Sequence, residues 1–177
     1  MSITTRPANE QDFSFLFELK KAAEYDAIEA VFGWDEQLQM SIHQQEWQQA
    51  RPVIILNDGE AVGSYLFQDQ AEHCYFGRFF LLPKTQGKGI GSKTLHTVVA
   101  QAEFKQKPIK LVHLQGNRVH SLYQRFGFII SAQDEHFVYM QKAVSQSEPN
   151  QPQSLFHDYN SSSNASSSSN EVLLISY

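Results

Sequence analysis

Residues 81–94, LLPKTQGKGIGSKT, set three glycines at a junction between two different kinds of segment. Upstream, CYFGRFFLL (74–82) is an apolar run that reads as a strand, and Pro83 stops it. Downstream, IGSKTLHTVVAQAEF (90–104) puts Ile90, Leu95, Val98, Val99 and Ala102 on one stripe at helical spacing. Gly87, Gly89 and Gly91 give this turn unusual backbone freedom. A helix begins with N–H groups that lack partners and with the positive end of its dipole, so glycines there let an anion approach the backbone closely. The residues alone leave two readings open: a phosphate cradle or a flexible joint.

Working outward, SITTRPA (2–8) alternates as a short edge strand, and Asn9 can cap the helix that follows. Phe13, Leu16, Phe17, Ala23, Ala27 and Val31 give that helix its apolar face, and Gly33 ends it. WDEQLQMSIHQQEWQQ (34–49) reads as a second helix with Leu38, Ile42 and Trp47 inward. RPVIILNDGEAVGSYLFQ (51–68) is a hairpin turning at Asn57-Asp58-Gly59. Beyond residue 104 come a strand (IKLVHLQ), a short helix (RVHSLYQRF) ended by Gly127, and a closing strand pair (GFIISAQ, HFVYMQK). The predicted order is β-α-α-β-β-β-α-β-α-β-β, an α/β (α+β) domain over residues 1–143. Residues 144–177 form a Ser/Asn-rich tail, with seven serines between 161 and 170, too poor in apolar residues to offset its chain entropy and expected to be flexible. The role of its EVLLISY end is open.

The chain has 177 residues, 41% of them hydrophobic, which suits one domain. Cys74 is the single cysteine, so no internal disulfide forms, and a reducing, cytoplasmic location is expected. No apolar run approaches the ~20 residues of a membrane span, and the N-terminus lacks a secretory pattern. Net charge is −5 but unevenly spread. Nine acids lie between Glu10 and Glu46 against Lys20 and Lys21; seven basic residues lie between Arg78 and Lys110 against Glu103. A nucleic-acid partner is not expected from this balance, nor a membrane partner from the lack of a long apolar run.

Spacing excludes two phosphate loops. A Walker loop requires Gly-Lys-Ser/Thr, but Gly91 is followed by Ser92; a dinucleotide fingerprint requires Gly-x-Gly-x-x-Gly in the first strand-helix unit, but these glycines lie mid-chain. Gln86-Gly-Lys-Gly89-Ile-Gly91 instead resembles the Gln/Arg-x-x-Gly-x-Gly/Ala motif of the GCN5-related N-acetyltransferases, the GNAT family. NRVHSLYQRFGF (117–128) resembles that family's second signature, and FGWDEQLQ (32–39) resembles a stretch found in one bacterial subgroup. The predicted order agrees with the GNAT fold, a mixed central sheet with helices on both faces.

The resemblance implies acetyl-CoA as acyl donor, with no metal. It implies that the backbone at Phe79 and Leu81 holds the pantetheine arm, and that Gln86, Gly87, Lys88, Gly89, Ile90, Gly91 and Ser92 receive the pyrophosphate, with Lys84, Lys88 and Lys93 nearby. Asn117 would contact the cofactor arm, cap the next helix, or both. Tyr123 would bind the cofactor and serve as the general acid that protonates the departing thiolate. The general base stays unassigned. Strands YFGRFFLL and KLVHLQ carry no acid, which argues against a close match to the ribosomal-protein N-terminal acetyltransferases, and Arg78 falls close to where an acid is often seen. Glu24, Glu72, His73, His113 and His120 are the candidates.

The implied activity is transfer of an acetyl or short acyl group to a primary amine, on a small molecule or a protein. In the family the first two helices wall the acceptor site, so their acids point to a cationic acceptor. Phe32 and Trp34 would line that site or pack the helices together. The alternative is a CoA-binding or regulatory module without turnover, and a homodimer is compatible with the family.

Overall fold

The computed structural model describes residues 2–145; the predicted tail beyond Ser145, with its EVLLISY end, lies outside the described residues. The elements follow the predicted order: β1 (Ile3–Pro7), α1 (Phe13–Phe32), α2 (Glu36–Gln49), β2 (Val53–Asn57), β3 (Glu60–Asp69), β4 (Cys74–Leu81), α3 (Ile90–Phe104), β5 (Ile109–Leu114), α4 (His120–Arg125), β6 (Ile129–Gln133) and β7 (Phe137–Lys142). The strands make one seven-stranded mixed sheet in the order β1-β2-β3-β4-β5-β7-β6. No helix among the described residues is long and apolar enough to cross a membrane.

Local chemistry sets the elements as the sequence suggests. Asn9 accepts from Gln11 N, and Asp12 accepts from Asn9 N, a reciprocal cap that starts the turn leading into α1. Asp35 accepts from Leu38 N at the start of α2. Asp58 and Gly59, both at positive φ, turn the β2–β3 hairpin.

One apolar cluster fills the α3 and α4 side of the sheet, around Phe76, Leu95, Val98, Ile109, Leu111 and Met140. A smaller one, with Leu16, Leu19, Ile54 and Phe80, lies beneath α1. The second departs from the predicted apolar faces. In α2, Leu38 is 55% exposed, while the buried stripe is Gln39, His43 and Glu46. In α1 the buried stripe Leu16–Lys20–Glu24–Ile28 carries two charges among its apolar members.

The feature that positions the site is a gap in the sheet. Strands β4 and β5 pair in parallel only at Cys74–Ile109 and Tyr75–Lys110, whereas β5 pairs with β7 along its whole length. Beyond Tyr75, β4 turns away. Opposite Tyr65 of β3 it carries two residues, Arg78 and Phe79, and Arg78 has φ 46°. This is a β-bulge, which bends its strand and interrupts the ladder.

On the other side of β4, Gly63 lets β3 approach closely. A Cβ there would sit 2.5 Å from both the Phe80 carbonyl oxygen and Leu81 Cδ2. Backbone cannot yield as a side-chain tip can, so Gly63→Ala is expected to destabilise the protein by about 3 kcal/mol. Urea unfolding would show a lower midpoint with an unchanged slope; a loss below about 0.5 kcal/mol would mean that β3 and β4 shift apart freely.

Candidate active site

At one mouth of the gap lies the glycine junction. Pro83–Thr85 form a 3-10 turn, Gln86 Nε2 donates to Leu81 O at 3.0 Å, and α3 begins at Ile90, which is buried and anchors the first turn. Gly89, at φ 80°, is the N-cap, and no side chain caps this helix end. Gly87 and Gly89 both have positive φ, and a Cβ on either would meet nothing within 4 Å, so the loop is open on its outer side. Gly91 is close-packed: a Cβ would lie 3.2 Å from Leu122 Cδ2 of α4 and 3.6 Å from Phe79 Cζ. Phe79 itself stacks on Phe76, with ring centroids 5.3 Å apart. Gln86, Lys88 and Gly89 are exposed, and Gly91 and Ser92 are half-buried.

Of the basic excess read from the sequence, Lys105 and Lys107 are bonded to Asp69 at the far end of β3. Lys84, Lys88 and Lys93 lie in or beside the glycine turn. Arg78 turns away, donating to the carbonyls of Glu46 and Ala50 at the C-terminal end of α2, where unsatisfied oxygens and the helix dipole favour a cation.

At the other mouth, Asn117 uses both ends of its amide. Its Oδ1 accepts from Val119 N at 3.0 Å, shaping the entry to α4, and its Nδ2 donates to Glu24 Oε1 at 3.0 Å. The capping role is therefore observed, together with a tie to α1. Tyr123, in the six-residue α4, is 4% exposed; its ring contacts Phe76, His113 and Phe128 at centroid distances of 6.3, 5.9 and 5.7 Å. Burial pushes the Tyr123 phenol well above its ordinary range, and the charges of Glu24 and Tyr75 add to this.

The structure sorts the base candidates. Glu72 and His73 lie in the β3–β4 connection, at the end of β4 remote from the bulge. His113 donates from Nδ1 to Leu114 O at 2.8 Å, so its Nε2 accepts from His120 Nδ1 at 2.9 Å and its lone pair is committed. Glu24 stands apart. Burial raises its carboxyl to about 7, against the Asn117 hydrogen bond and the Lys20 charge, which both lower it.

The nine acids of the first two helices do not act together. Glu10, Glu18, Asp26, Glu29, Asp35 and Glu36 are exposed; Glu10 pairs with Arg51 and Glu36 with Lys21. Asp12 is buried against Arg6. Glu46 turns into the space between the helices and β4 together with Lys20 and Arg78, while Glu24 is buried near Lys20 and accepts from Asn117. A wholly acidic wall, the basis for expecting a cationic acceptor, is absent among the described residues. Trp34 lies against Tyr25 at 5.1 Å and bonds Glu36, so it packs on the outside of α1. Phe32 meets His136 at 4.8 Å, joining the end of α1 to the β6–β7 connection.

Comparison with known proteins agrees with this geometry. Residues 48–130, from the end of α2 through β4, the glycine turn and α4 to the start of β6, match a family model described as an acetyltransferase (GNAT) domain. The segment that carries the glycine turn and α4 matches the GNAT acetyltransferase domain. Among solved structures this chain is similar to the PaiA N-acetyltransferase of Thermoplasma acidophilum in complex with coenzyme A, at 18% identity and TM-score 0.63, covering 81% of this chain and 99% of that one. It is similar to the ribosomal-protein-S18-alanine N-acetyltransferase of Escherichia coli, at 16% identity and TM-score 0.62, covering 84% and 98%. It is also similar to a GNAT family acetyltransferase of Brucella melitensis in complex with acetyl-CoA, at 20% identity and TM-score 0.56, covering 84% and 92%. At these identities the likeness establishes the fold. No curated protein sequence gives a significant match.

Proposed function

We propose that this chain transfers an acetyl or short acyl group from acetyl-CoA directly to a primary amine, with Glu24 as general base and Tyr123 as general acid. The observation that carries the reading is the pairing of a glycine-lined helix end with a buried acid and phenol at the same gap between β4 and β5. The residues fit the donor: the turn is open where side chains would block it, no side chain caps its helix, and Lys84, Lys88 and Lys93 supply positive charge. Similar GNAT structures are complexes with coenzyme A or acetyl-CoA.

When bound, acetyl-CoA supplies a thioester activated toward amines. The chain's task is to place that group and move two protons. Amides at the start of α3 and the loop before it face the phosphate end, and the splayed edge of β4 offers backbone to the arm. Glu24, poised about 7, is ionised for roughly half the molecules at neutral pH and can take a proton from an ammonium acceptor. Tyr123 keeps its proton at any ordinary pH and can donate it as charge develops on sulfur. Asn117 fixes the Glu24 carboxylate by its 3.0 Å hydrogen bond and ties α1 to α4, so base and acid are oriented together. A cytoplasmic location suits the free, buried Cys74.

The test is release of CoA thiol from acetyl-CoA in the presence of a panel of primary amines, run beside equilibrium binding of acetyl-CoA. Thiol release that depends on the amine is expected. Binding without release from any amine would favour the non-catalytic module, and absence of binding would end both readings.

A further inference from the structure

Two histidines that take no part in the proposed proton transfers lie beside the groups that do. His113, near the end of β5, is buried; His120, the first residue of α4, is half-buried. An apolar side chain at 113 would fill the same space without the cost of burying a polar ring. The two rings are nonetheless joined in one directed chain of hydrogen bonds. His113 Nδ1 is 2.8 Å from Leu114 O, and its Nε2 is 2.9 Å from His120 Nδ1. A carbonyl oxygen only accepts, so His113 carries its hydrogen on Nδ1, and burial keeps the ring neutral. Its Nε2 is then an acceptor, and His120 donates. His120 therefore sets the tautomer of His113.

The chain of bonds ends where the backbone leaves the sheet. Leu114 O also accepts from Asn117 N at 3.2 Å, closing a turn through Gly116 at φ 75°. Asn117 O accepts in turn from His120 N at 3.2 Å, so the two histidines and the turn make a closed ring of contacts. From that turn the Asn117 side chain reaches Glu24, donating to Oε1 at 3.0 Å. The His113 ring also lies 5.9 Å from the Tyr123 ring. The pair thus touches Tyr123 directly and Glu24 through Asn117.

Resting on the acetyltransfer reading above, we infer that His113 and His120 are positioning residues that fix the Leu114–Asn117 turn and so hold Asn117 against Glu24. His120 fixes which nitrogen of His113 donates, and His113 holds the carbonyl about which Asn117 turns. Without His120 the His113 ring is free to exchange tautomers, and in the other one Nδ1 no longer donates to Leu114 O. The turn then loosens and Asn117 withdraws from Glu24. Two neighbours favour the ionised Glu24 against its burial: the Asn117 amide and Lys20 of α1. Tyr123 of α4 is the other titratable group close by, and it stays protonated. Losing the Asn117 bond therefore moves the Glu24 titration upward.

The experiment follows the Glu24 side-chain carboxyl carbon by NMR against pH, its resonance being the one absent from Glu24→Gln, beside kcat and KM. His120→Ala should raise the midpoint by about 0.5–1 pH unit, part of the worth of a hydrogen bond to a charged group. At about pH 6, below the midpoint, kcat should fall by the same factor as the ionised fraction, about 3- to 10-fold. KM for acetyl-CoA should change less than about twofold, since the pair bonds to nothing in the glycine turn. His120→Asn should recover most of both effects, because its amide nitrogen stands where imidazole Nδ1 does. His120→Leu keeps bulk without the donor and should match the alanine variant, which it replaces if that variant does not melt cooperatively. An unmoved Glu24 midpoint, or an asparagine variant no better than alanine, would overturn the inference and leave the acetyltransferase reading standing. A moved midpoint in a protein whose unaltered form releases no thiol with any amine would instead remove the acetyltransferase reading, with the coupling of His120 to Glu24 upheld.

Discussion

Glu24→Gln is expected to lower kcat/KM at pH 7.5 by about 10²- to 10⁴-fold while making the protein more stable. The activity loss follows from the proton. An amine acceptor arrives mostly as an ammonium, and Glu24 is the buried carboxylate of the described residues that lies beside both Asn117 and the Tyr123 phenol. Its carboxyl at about 7 implies that kcat/KM of the unaltered protein rises with pH through about 7, because the base must be ionised. Glutamine keeps the hydrogen bond from Asn117 but has no proton to exchange, so this inflection should vanish. A variant that kept the inflection and the rate would assign the base elsewhere.

The stability gain has the opposite sign for a stated reason. The carboxyl is raised from 4.5 in the unfolded chain to about 7 in the folded one. Between those values the folded state holds the proton more tightly, so stability is greatest below 4.5 and is lost as pH rises through about 7. At ~1.4 kcal/mol per pH unit, the ionised side chain costs at most about 3 kcal/mol above pH 7. Glutamine escapes that cost but also deprives Lys20 of a neighbouring charge, which leaves a net gain of about 1–2 kcal/mol. Urea unfolding at pH 5 and pH 8 checks both parts, since the gain should appear at pH 8 and shrink at pH 5. Activity and stability moving in opposite directions would mark Glu24 as a group kept for chemistry.

The order of elements was legible because each carries a local signal. Asn9 and Asp35 cap, Asn57-Asp58-Gly59 turns, Pro83 stops a strand, and the 90–104 stripe faces one way. What the periodicity hid is the inner face of α1 and α2. Leu16, Lys20, Glu24 and Ile28 recur at intervals of four, the spacing of a buried stripe, but a charge at such a position is ordinarily read as solvated. Gln39, His43 and Glu46 escape the periodicity for the same reason, and the apolar pattern puts Leu38 inside although it is exposed. A helix whose buried stripe contains charges cannot be told from a surface helix until its partner is known. Here each stripe is the partner of the other. The gap between β4 and β5 was equally silent, because a bulge depends on register and Arg78 is an unremarkable residue for it until its positive φ is seen.

Tyr123→Phe separates the acid from the base. The variant keeps the ring and its contacts with Phe76, His113 and Phe128, so its unfolding midpoint should stay within about 0.5 kcal/mol of the original. Acetyl-CoA affinity should change less than about twofold, because the hydroxyl is needed only as charge develops on sulfur. Turnover should fall by about 10²- to 10³-fold, the contribution of one positioned proton donor. The pH profile adds a distinction that a merely structural tyrosine would not produce. The Tyr123 phenol lies well above its usual range, so no falling limb from it enters the accessible pH range, and the unaltered enzyme shows only the rising limb set by Glu24. In Tyr123→Phe that limb should survive at about 7 with its plateau lowered; in Glu24→Gln the limb itself should disappear. Unchanged turnover in Tyr123→Phe would take the phenol out of the mechanism and leave the thiolate to be protonated by solvent.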